Sequence, residues 1–428
     1  MMAEPITVAL CGCGSRGLDA YAPFQKEHPE LMKIVAGADA RPERLEKLRT
    51  EYGVAPQMCF SSDEELLAQP RLADVMIIAT LDRMHVKDAM AALDKGYHLL
   101  LEKPISPDLG ECLALREKAR ATGRTVVVCH VLRYTRFYAA LEAILRRGEI
   151  GKIQTIDATE NVAYWHFAHS FVRGNWRRQD KSSPMILQKC CHDMDILRWL
   201  AGEKCLKIQS FGGLDHFRAE NAPAGAAERC MGCVHQGKCL YDAETLYLKN
   251  PHCGFEAIGP AWPVDVLATN PTEASIREAI RTGPYGRCVY HCDNDVADHQ
   301  SVNMLFENGI TATFTVSAFS EKIYRTVKVT GTLGQVEGDM GENRIVLQRF
   351  GQSREVIDLN EEQGAFSGHG GGDFGLLRHL FDIIGSGQSQ ALTGIDASVE
   401  SHVMALAAEW SRQNGGETVT LADFERQI

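Results

Sequence analysis

A glycine-rich turn directly behind an apolar run constrains the fold of this chain more than any other feature. Residues 6–10 are mostly apolar, and residues 12–17 are Gly-Cys-Gly-Ser-Arg-Gly. In this G-x-G-x-x-G pattern the glycines allow a tight turn, close approach of a pyrophosphate and close packing of helix on strand. The following helix offers its N-terminal N–H groups to phosphates. The pattern predicts a Rossmann fold with these dinucleotide contacts: Gly12, Gly14, Ser15, Arg16 and Gly17.

The next apolar run ends at an acidic residue, which a Rossmann fold uses to bind the adenosine ribose. Residues 33–38 form this run and lead into Asp39, at about the 20-residue distance from the glycines that the fingerprint requires. An acid there accepts hydrogen bonds from the adenosine ribose hydroxyls and repels a 2′-phosphate, so we favour NAD as the cofactor. Two alternatives stay open: Asp39 caps a helix that begins near Pro42, or Arg41 holds the 2′-phosphate of NADP.

Further apolar runs continue the alternation of strands and helices. They lie at residues 75–79, 97–101 and 126–129, with a helical stretch at 86–95. This order predicts a parallel sheet covered on both faces, with ligands at the carboxyl ends of its strands. The polar residues that follow these strands are therefore candidate site residues: Thr80, His85, Glu102, Lys103, His130 and Arg133.

Lys103 has an unusual setting for a lysine at the edge of a sheet. It stands between Glu102 and Pro104, and proline restricts the residue before it to extended geometry. The side chain is therefore expected to point in one direction. An ammonium held there can donate to a substrate hydroxyl oxygen, or relay its proton, while a cofactor accepts hydride.

Length and composition narrow the class of protein. At 428 residues the chain exceeds the size at which one core stops growing, so we expect two domains. The net charge of −11 without a long Lys/Arg run argues against nucleic acid or an anionic membrane as the partner. Fourteen cysteines in a large chain without an export signal predict a cytoplasmic protein with reduced thiols. A small molecule is the expected partner.

Taken together, these residues resemble the Gfo/Idh/MocA oxidoreductases. The resemblance rests on the glycine pattern, Ala79-Thr80 with His85, Glu102-Lys103-Pro104, Gly148-x-Ile150-Gly151, and His192-x-x-Asp195 before Trp199-Leu200-x-Gly202. It implies a Rossmann domain at 1–152 and an α/β domain at 153–428 with a large, open, mostly antiparallel sheet. In the family this sheet often packs against another subunit, which implies a homodimer or homotetramer.

The resemblance also implies an activity. Relatives transfer hydride between NAD(P) and a secondary hydroxyl of a sugar, glycoside or cyclitol, and the lysine that matches Lys103 is catalytic. An alternative is a glycosidase or lyase that holds NAD tightly, oxidises sugar C3 transiently and eliminates the glycosidic bond. A third hypothesis is a non-catalytic redox or metal sensor that binds NAD.

A predicted helix at residues 184–199 carries further candidates. Many family members have D-x-x-x-H here, but this chain has Gln188 at the aspartate position and keeps His192. His192 is our first candidate for the general base, because a free imidazole titrates near neutrality; its alternative is a structural bond to Asp195. Lys189 is a candidate for the hydrogen-bonding role of the missing aspartate. We predict substrate contacts from Arg133, Gln188 and Asp195.

A second candidate substrate contact lies near the C-terminus. The segment 368–373 is Gly-His-Gly-Gly-Gly-Asp, and consecutive glycines let a backbone approach a ligand closely. His369 is then predicted to contact the sugar. A flexible loop that ends with Asp373 as a helix cap is the alternative.

A cysteine cluster marks an insertion at about 216–292 in the second domain. Cys230-x-x-Cys233-x₅-Cys239 is followed some fifty residues later by Cys288-x₃-Cys292. Three close thiols with a distant fourth suit a structural, tetrahedral Zn²⁺, which would order a segment with little core periodicity. Cys288 and Cys292 compete for the fourth position, with Cys253 or His252 as further candidates. An iron–sulfur cluster and unligated or disulfide-paired thiols are the alternatives.

Overall fold

The computed structural model describes residues 4–360, 369–387 and 391–426. Its strands are β1 (Ile6–Cys11), β2 (Met32–Ala38), β3 (Cys59–Phe60), β4 (Val75–Ile78), β5 (His98–Leu101), β6 (Val126–Val128), β7 (Ile153–Asn161), β8 (Cys205–Gly213), β9 (His299–Phe306), β10 (Thr311–Ser317), β11 (Tyr324–Gly331), β12 (Gly334–Asp339), β13 (Arg344–Arg349), β14 (Glu355–Asp358) and β15 (Val419–Thr420). Its α-helices are α1 (Pro23–Glu27), α2 (Pro42–Tyr52), α3 (Asp63–Ala68), α4 (His85–Asp94), α5 (Leu109–Thr122), α6 (Arg136–Arg146), α7 (Tyr164–Phe167), α8 (Met185–Gln188), α9 (Cys191–Ala201), α10 (Phe255–Ile258), α11 (Val264–Leu267), α12 (Glu273–Thr282), α13 (Gly372–Ser386), α14 (Ile395–Gln413) and α15 (Leu421–Arg426).

The first sheet is the predicted parallel one. Its strand order is β3-β2-β1-β4-β5-β6, and every pair in it is parallel. The glycine turn follows β1: Gly12 has φ +93°, and a Cβ there would lie 2.5 Å from the carbonyl oxygen of Ala79. A Cβ on Gly17 would collide with the carbonyl oxygen of Gly12. Glycine is thus required at both positions, and the doubly wound first domain is confirmed.

The second sheet is open and mixed, with the order β14-β13-β12-β11-β7-β10-β9-β8-β15. The pair β7–β10 is parallel, and the other pairs are antiparallel. Burial alternates along its strands, as in β10, because one face packs against α9 and α14. The large, mostly antiparallel sheet that the resemblance implies is confirmed.

The C-terminal part of the chain returns to the first sheet. Helix α13 places Leu376, Leu377 and Leu380 in the same core as residues of β1 and β4. The backbone N–H of Val128 also donates to the carbonyl oxygen of Thr393 (2.9 Å). A helical hydrophobic pattern does not say which sheet the helix will cover, so the local sequence does not assign this helix to the Rossmann half.

The cysteine-rich insertion lies between β8 and β9. It contains α10, α11 and α12 and has a small core of its own, which includes Tyr247, Val264, Ile276 and Ile280. This core is larger than the weak periodicity of the segment suggested. No described helix is both long enough and apolar enough to cross a bilayer.

Candidate active site

Lys103 and Glu102 stand at the carboxyl end of β5. The Nζ of Lys103 donates to the carbonyl oxygen of Gln188 (2.8 Å), so the ammonium points from the first domain to the second. The buried Glu102 carboxylate accepts from the backbone N–H of Lys103 (3.0 Å) and from the hydroxyl of Tyr21. Burial would raise the pKa of Glu102, but the adjacent Arg16 guanidinium holds it below the ordinary value. Glu102 is therefore an ionised support that holds the lysine backbone in place.

Arg16 lies in the glycine turn, and its guanidinium is held by protein side chains. Its Nε donates to Glu102 (2.6 Å), and its Nη2 donates to Asp373 (2.5 Å) and to the hydroxyl of Tyr21 (2.6 Å). Asp373 is fully buried in the first turn of α13, whose N-cap is Gly371 without a side-chain bond. The alternative in which Asp373 caps this helix is therefore wrong. The side chain of His369, our other prediction here, lies outside the described residues.

Thr80 and His85 support the same edge of the sheet. The Thr80 hydroxyl donates to Asp88 (3.1 Å). The imidazole of His85 lies between two carbonyl oxygens, with Nδ1 2.7 Å from that of Pro104 and Nε2 3.1 Å from that of Thr80. His85 therefore joins the loop after β4 to the loop that carries Lys103.

Asp39 lies at the carboxyl end of β2, beside the glycine turn. Its carboxylate accepts from the backbone N–H groups of Cys13 (3.0 Å) and Arg41 (2.9 Å) and from Arg44 Nη1 (3.1 Å). The N-cap of α2 is Arg41, so the alternative in which Asp39 caps this helix is wrong. Arg44 was not among the predicted cofactor residues. Its guanidinium would lie 3.4 Å from a Cβ on Gly14, which places a cation over the turn.

The predicted helix at 184–199 is broken. The chain forms α8 and α9, and Lys189 and Cys190 lie between them. Lys189 projects from this break to the buried carboxylate of Glu160 (3.3 Å). The buried ion pair and the break in the helix thus occur at the same residue. The single continuous helix was thus wrong: Gln188 ends α8, Lys189 lies in the break, and His192 lies in the first turn of α9.

Glu160 and Lys189 belong to a buried charge network that sequence reasoning missed. Arg325 Nε lies 2.8 Å from Glu160, and the Arg325 guanidinium also donates twice to Asp193 (2.8 and 3.1 Å). Burial lowers the pKa of Lys189 despite the nearby Glu160 carboxylate, and burial raises the pKa of Glu160. The network therefore presents one partly desolvated ammonium beside Lys103.

Arg133 and Asp195 bind each other. Nε and Nη2 of Arg133 donate to the two carboxylate oxygens of Asp195 (2.7 and 2.6 Å), and the side chains are 3% and 1% exposed. Arg133 also donates to the carbonyl oxygen of Leu392 (3.0 Å) and lies over the ring of Trp199. The structure thus brings these two predicted residues together as one buried pair.

Three histidine rings lie in series behind Lys103. The rings of His192 and His130 are 5.7 Å apart between centroids, and those of His130 and His402 are 5.8 Å apart. His402 accepts from the backbone N–H of Ile105 at Nε2 (2.8 Å), and its Nδ1 lies 2.6 Å from the carbonyl oxygen of Ser398. A neutral imidazole satisfies both contacts. His402 was missed, because nothing in its local sequence places it near β5.

His402 predicts a pH dependence of stability. Burial lowers the pKa of His402 from 6.5 to about 3, so between these values the unfolded chain binds a proton that the folded chain does not. The free energy of unfolding is therefore expected to fall as the pH falls from about 6.5 toward 3. In His402→Gln the slope of this free energy against pH, from urea titrations, should be smaller. An unchanged slope would show that His402 does not remain neutral.

The cysteines of the insertion separate into two groups. Cys230, Cys233, Cys239 and Cys288 line one small cavity, whereas the thiol of Cys292 donates to the carbonyl oxygen of Cys288 (3.2 Å). Cys253 donates to the Leu246 carbonyl oxygen, and His252 lies 3.1 Å from Glu321. Throughout the described ranges no group of three or more His, Cys, Asp or Glu side chains has the geometry of a metal site, so the predicted zinc stays a prediction.

Comparisons with known proteins cover almost the whole chain. Residues 6–130 match the model of the "Oxidoreductase family, NAD-binding Rossmann fold", and residues 143–421 match its "C-terminal alpha/beta domain". The putative oxidoreductase YteT of Bacillus subtilis is 22% identical over 394 residues, which are 87% of this chain and 88% of YteT. Inositol 2-dehydrogenase 4 of Saccharopolyspora erythraea is 28% identical over 258 residues, 60% of this chain and 70% of that protein.

A solved structure shows the same fold over its full length. Levoglucosan dehydrogenase, in complex with NADH and levoglucosan, superposes with a TM-score of 0.70 over 98% of this chain and 100% of that one, at 16% identity. Its likeness concerns the fold alone. The two domain matches, in the order and at the positions of the two sheets, show that the chain belongs to the Gfo/Idh/MocA family of oxidoreductases, with an NAD-binding Rossmann domain followed by the C-terminal α/β domain.

Proposed function

We propose that this protein is an NAD-dependent dehydrogenase that acts on a secondary hydroxyl of a sugar, glycoside or cyclitol. The observation that carries the proposal is the position of Lys103. Its ammonium extends from the end of β5 to the carbonyl oxygen of Gln188, beside the Lys189 ammonium. Relatives named as inositol dehydrogenases support the substrate class.

The residues of the first domain fit a dinucleotide. The turn at Gly12 and Gly17 has no room for side chains, and the helical turn Ser15–Tyr21 that follows has no side-chain cap on its N–H groups. These N–H groups would hold the pyrophosphate, and Asp39 would hold the adenosine ribose. When bound, NAD supplies the hydride acceptor. Because Arg16 is engaged by Glu102 and Asp373, we assign it to the support of the turn.

The polar groups around Lys103 have different roles in binding and deprotonating the substrate hydroxyl. We assign to Lys103 a hydrogen bond to the reacting hydroxyl oxygen, and to His192 the acceptance of its proton. Lys189 is held by Glu160, and we assign to it a hydrogen bond to a neighbouring substrate hydroxyl. It would thus take the role of the family aspartate that Gln188 replaces. Arg133 and Asp195 are positioning residues, because their charges are already satisfied by each other.

The test is a screen of sugars, glycosides and cyclitols with NAD, followed by NADH absorbance and by mass spectrometry of the products. Formation of NADH with a product two hydrogen atoms lighter supports the proposal. Release of an aglycone without net formation of NADH would instead support the alternative function, transient oxidation of the sugar followed by elimination. Absence of turnover together with absence of NAD binding in calorimetry would overturn it.

Asp39 is expected to determine the preference for NAD. In Asp39→Ala the affinity for NAD should fall by roughly 10- to 100-fold, because a charged hydrogen-bond acceptor for the ribose is lost. Binding of NADP should improve, since Arg41 and Arg44 remain and the repelling carboxylate is absent. Calorimetry with both dinucleotides measures this, with the exposed Glu43→Ala as control. Equal NAD affinity in Asp39→Ala and the parent would contradict the assignment.

We also propose that the second sheet forms the contact in a homo-oligomer. The face of β7, β10 and β11 away from α9 carries hydroxyl side chains that bond each other, such as Thr155 with Thr330 (2.5 Å) and Thr159 with Thr326 (2.6 Å). This ordered face supports packing against a second copy. Light scattering of the purified chain gives the number of subunits. For the insertion, zinc stays a proposal, with an iron–sulfur cluster as its alternative.

A further inference from the structure

The insertion brings thiols from three turns to one small cavity. Cys230 and Cys288 lie on two backbone segments that pair at Arg229 and Arg287: the N–H of Cys230 donates to Gly286, and that of Cys288 donates to Glu228 (both 2.9 Å). Cys233 closes a tight turn on Cys230 (N–H to carbonyl 3.1 Å). These hydrogen bonds bring Cys288 beside residues more than fifty positions earlier in the chain.

The sulfur of Cys239 accepts a hydrogen bond from the backbone. The backbone N–H of Tyr241 donates to its Sγ (3.4 Å), which stabilises a negative sulfur. The carboxylate of Asp242, also at the cavity, accepts from the backbone N–H and hydroxyl of Thr245 (3.0 and 2.8 Å). Sulfur is thus the donor element that dominates the cavity.

Arg173 independently indicates that the cysteine cavity carries a negative charge. Its side chain is fully buried, and within the described residues no carboxylate lies at ion-pair distance from it. Its guanidinium donates to the Sγ of Cys230 (3.4 Å), to the Tyr241 carbonyl oxygen (2.7 Å) and to the Arg287 carbonyl oxygen (2.8 Å). A buried cation without a counter-charge is strongly unfavourable, so an anion is expected where its sulfur contact points.

We propose that Cys230, Cys233, Cys239 and Cys288 bind one Zn²⁺ as thiolates, with Arg173 as the counter-charge. Four S–H bonds are replaced by four S–Zn bonds, and up to four protons are released. The centre then carries a net charge of −2, which Arg173 partly neutralises. Four thiolates complete a tetrahedral shell and leave no position for substrate, so the centre is structural. Binding draws the four sulfurs from the cavity wall to the metal.

The centre also reaches the wall of the substrate site. Arg173 ends a helical turn, Ala168–Arg173, in which His169 stacks on Tyr285 of the insertion (4.7 Å). The ring of His166, just before this turn, packs against Trp262 of the insertion (4.8 Å), and burial with the nearby Lys189 charge lowers its pKa. Loss of the metal is therefore expected to weaken the packing of the insertion against the helical turn Ala168–Arg173. This last step rests on the proposed dehydrogenase function.

The first experiment measures metal in the full chain, purified without metal-affinity resin, by inductively coupled plasma mass spectrometry. About one zinc per chain is expected, as a single tetrahedral site requires. Cys239→Ser and Cys288→Ser should lose most of it, whereas Cys253→Ser, in the same insertion but away from the cavity, should retain it. Absence of zinc from the parent, or zinc retained in both ligand variants, overturns the proposal. If the purified chain contains iron and inorganic sulfide instead, the proposed zinc is wrong and the site holds an iron–sulfur cluster.

The second experiment keeps the four thiols and removes only the proposed counter-charge. In Arg173→Met, competition with a chelating dye should show at least about tenfold weaker zinc affinity, as loss of a charged contact predicts. Stripping zinc from the parent should lower Tm and raise KM for the substrate, with NAD affinity unchanged. Unchanged zinc affinity in Arg173→Met would refute its role as counter-charge. Metal content and Tm need no turnover, so they stand even if the dehydrogenase proposal fails.

Discussion

Replacement of Lys103 by methionine is expected to lower kcat by about 10²- to 10⁴-fold, the range for loss of a positioned proton-transfer group. Methionine keeps the length and apolar stem of the side chain but cannot donate to the substrate hydroxyl. The affinity for NAD should change little, because the glycine turn and Asp39 are unaffected. Initial rates of NADH formation and calorimetry with NAD measure the two quantities separately.

The matched control is Lys204→Met, because the side chain of Lys204 is 65% exposed and lies outside the site. Its rate should equal that of the parent. A Lys103→Met variant with the kcat of the parent would show that the ammonium takes no part in the reaction. A variant that fails to bind NAD would instead assign Lys103 to cofactor binding.

Replacement of Asp195 by alanine is expected to lower the free energy of unfolding by about 3–5 kcal/mol, the range for removal of one partner from a buried ion pair. Arg133 would then remain buried, with 3% exposure and no carboxylate opposite its Nε and Nη2 atoms. Urea titration followed by circular dichroism gives the free energy for parent and variant.

A double variant distinguishes the cost of leaving one buried charge unpaired from the loss of the ion pair itself. In Arg133→Met with Asp195→Leu both charges are absent, and much of the stability is expected to return, because apolar replacements of buried pairs are often neutral. Glu51→Ala is the exposed control: its pair with Lys26 has 49% and 40% exposed side chains, so a loss of about 0–1 kcal/mol is expected. If Asp195→Ala loses no more than this control, the pair does not stabilise the fold.

The sequence alone determined the first sheet and its ligand-binding edge. Gly12 has a φ of +93° and Gly17 lies against the carbonyl oxygen of Gly12, so the backbone of the turn calls for glycine at both positions, and apolar runs that alternate with helices specify parallel strands through local burial. Lys103 was found in the same way, because it directly follows β5 and directly precedes proline. Each of these signals acts over a few residues, so it can be recognised without knowledge of the rest of the chain.

Only the tertiary structure decided which charged groups meet. Arg16 was expected at the phosphates, but it binds Glu102 and Asp373, the latter 357 residues away. Lys189 was expected on a continuous helix, but it pairs with Glu160 from a break. A buried charge takes whichever counter-charge the packing of distant elements brings near, and the spacing of residues along the chain carries no record of that packing.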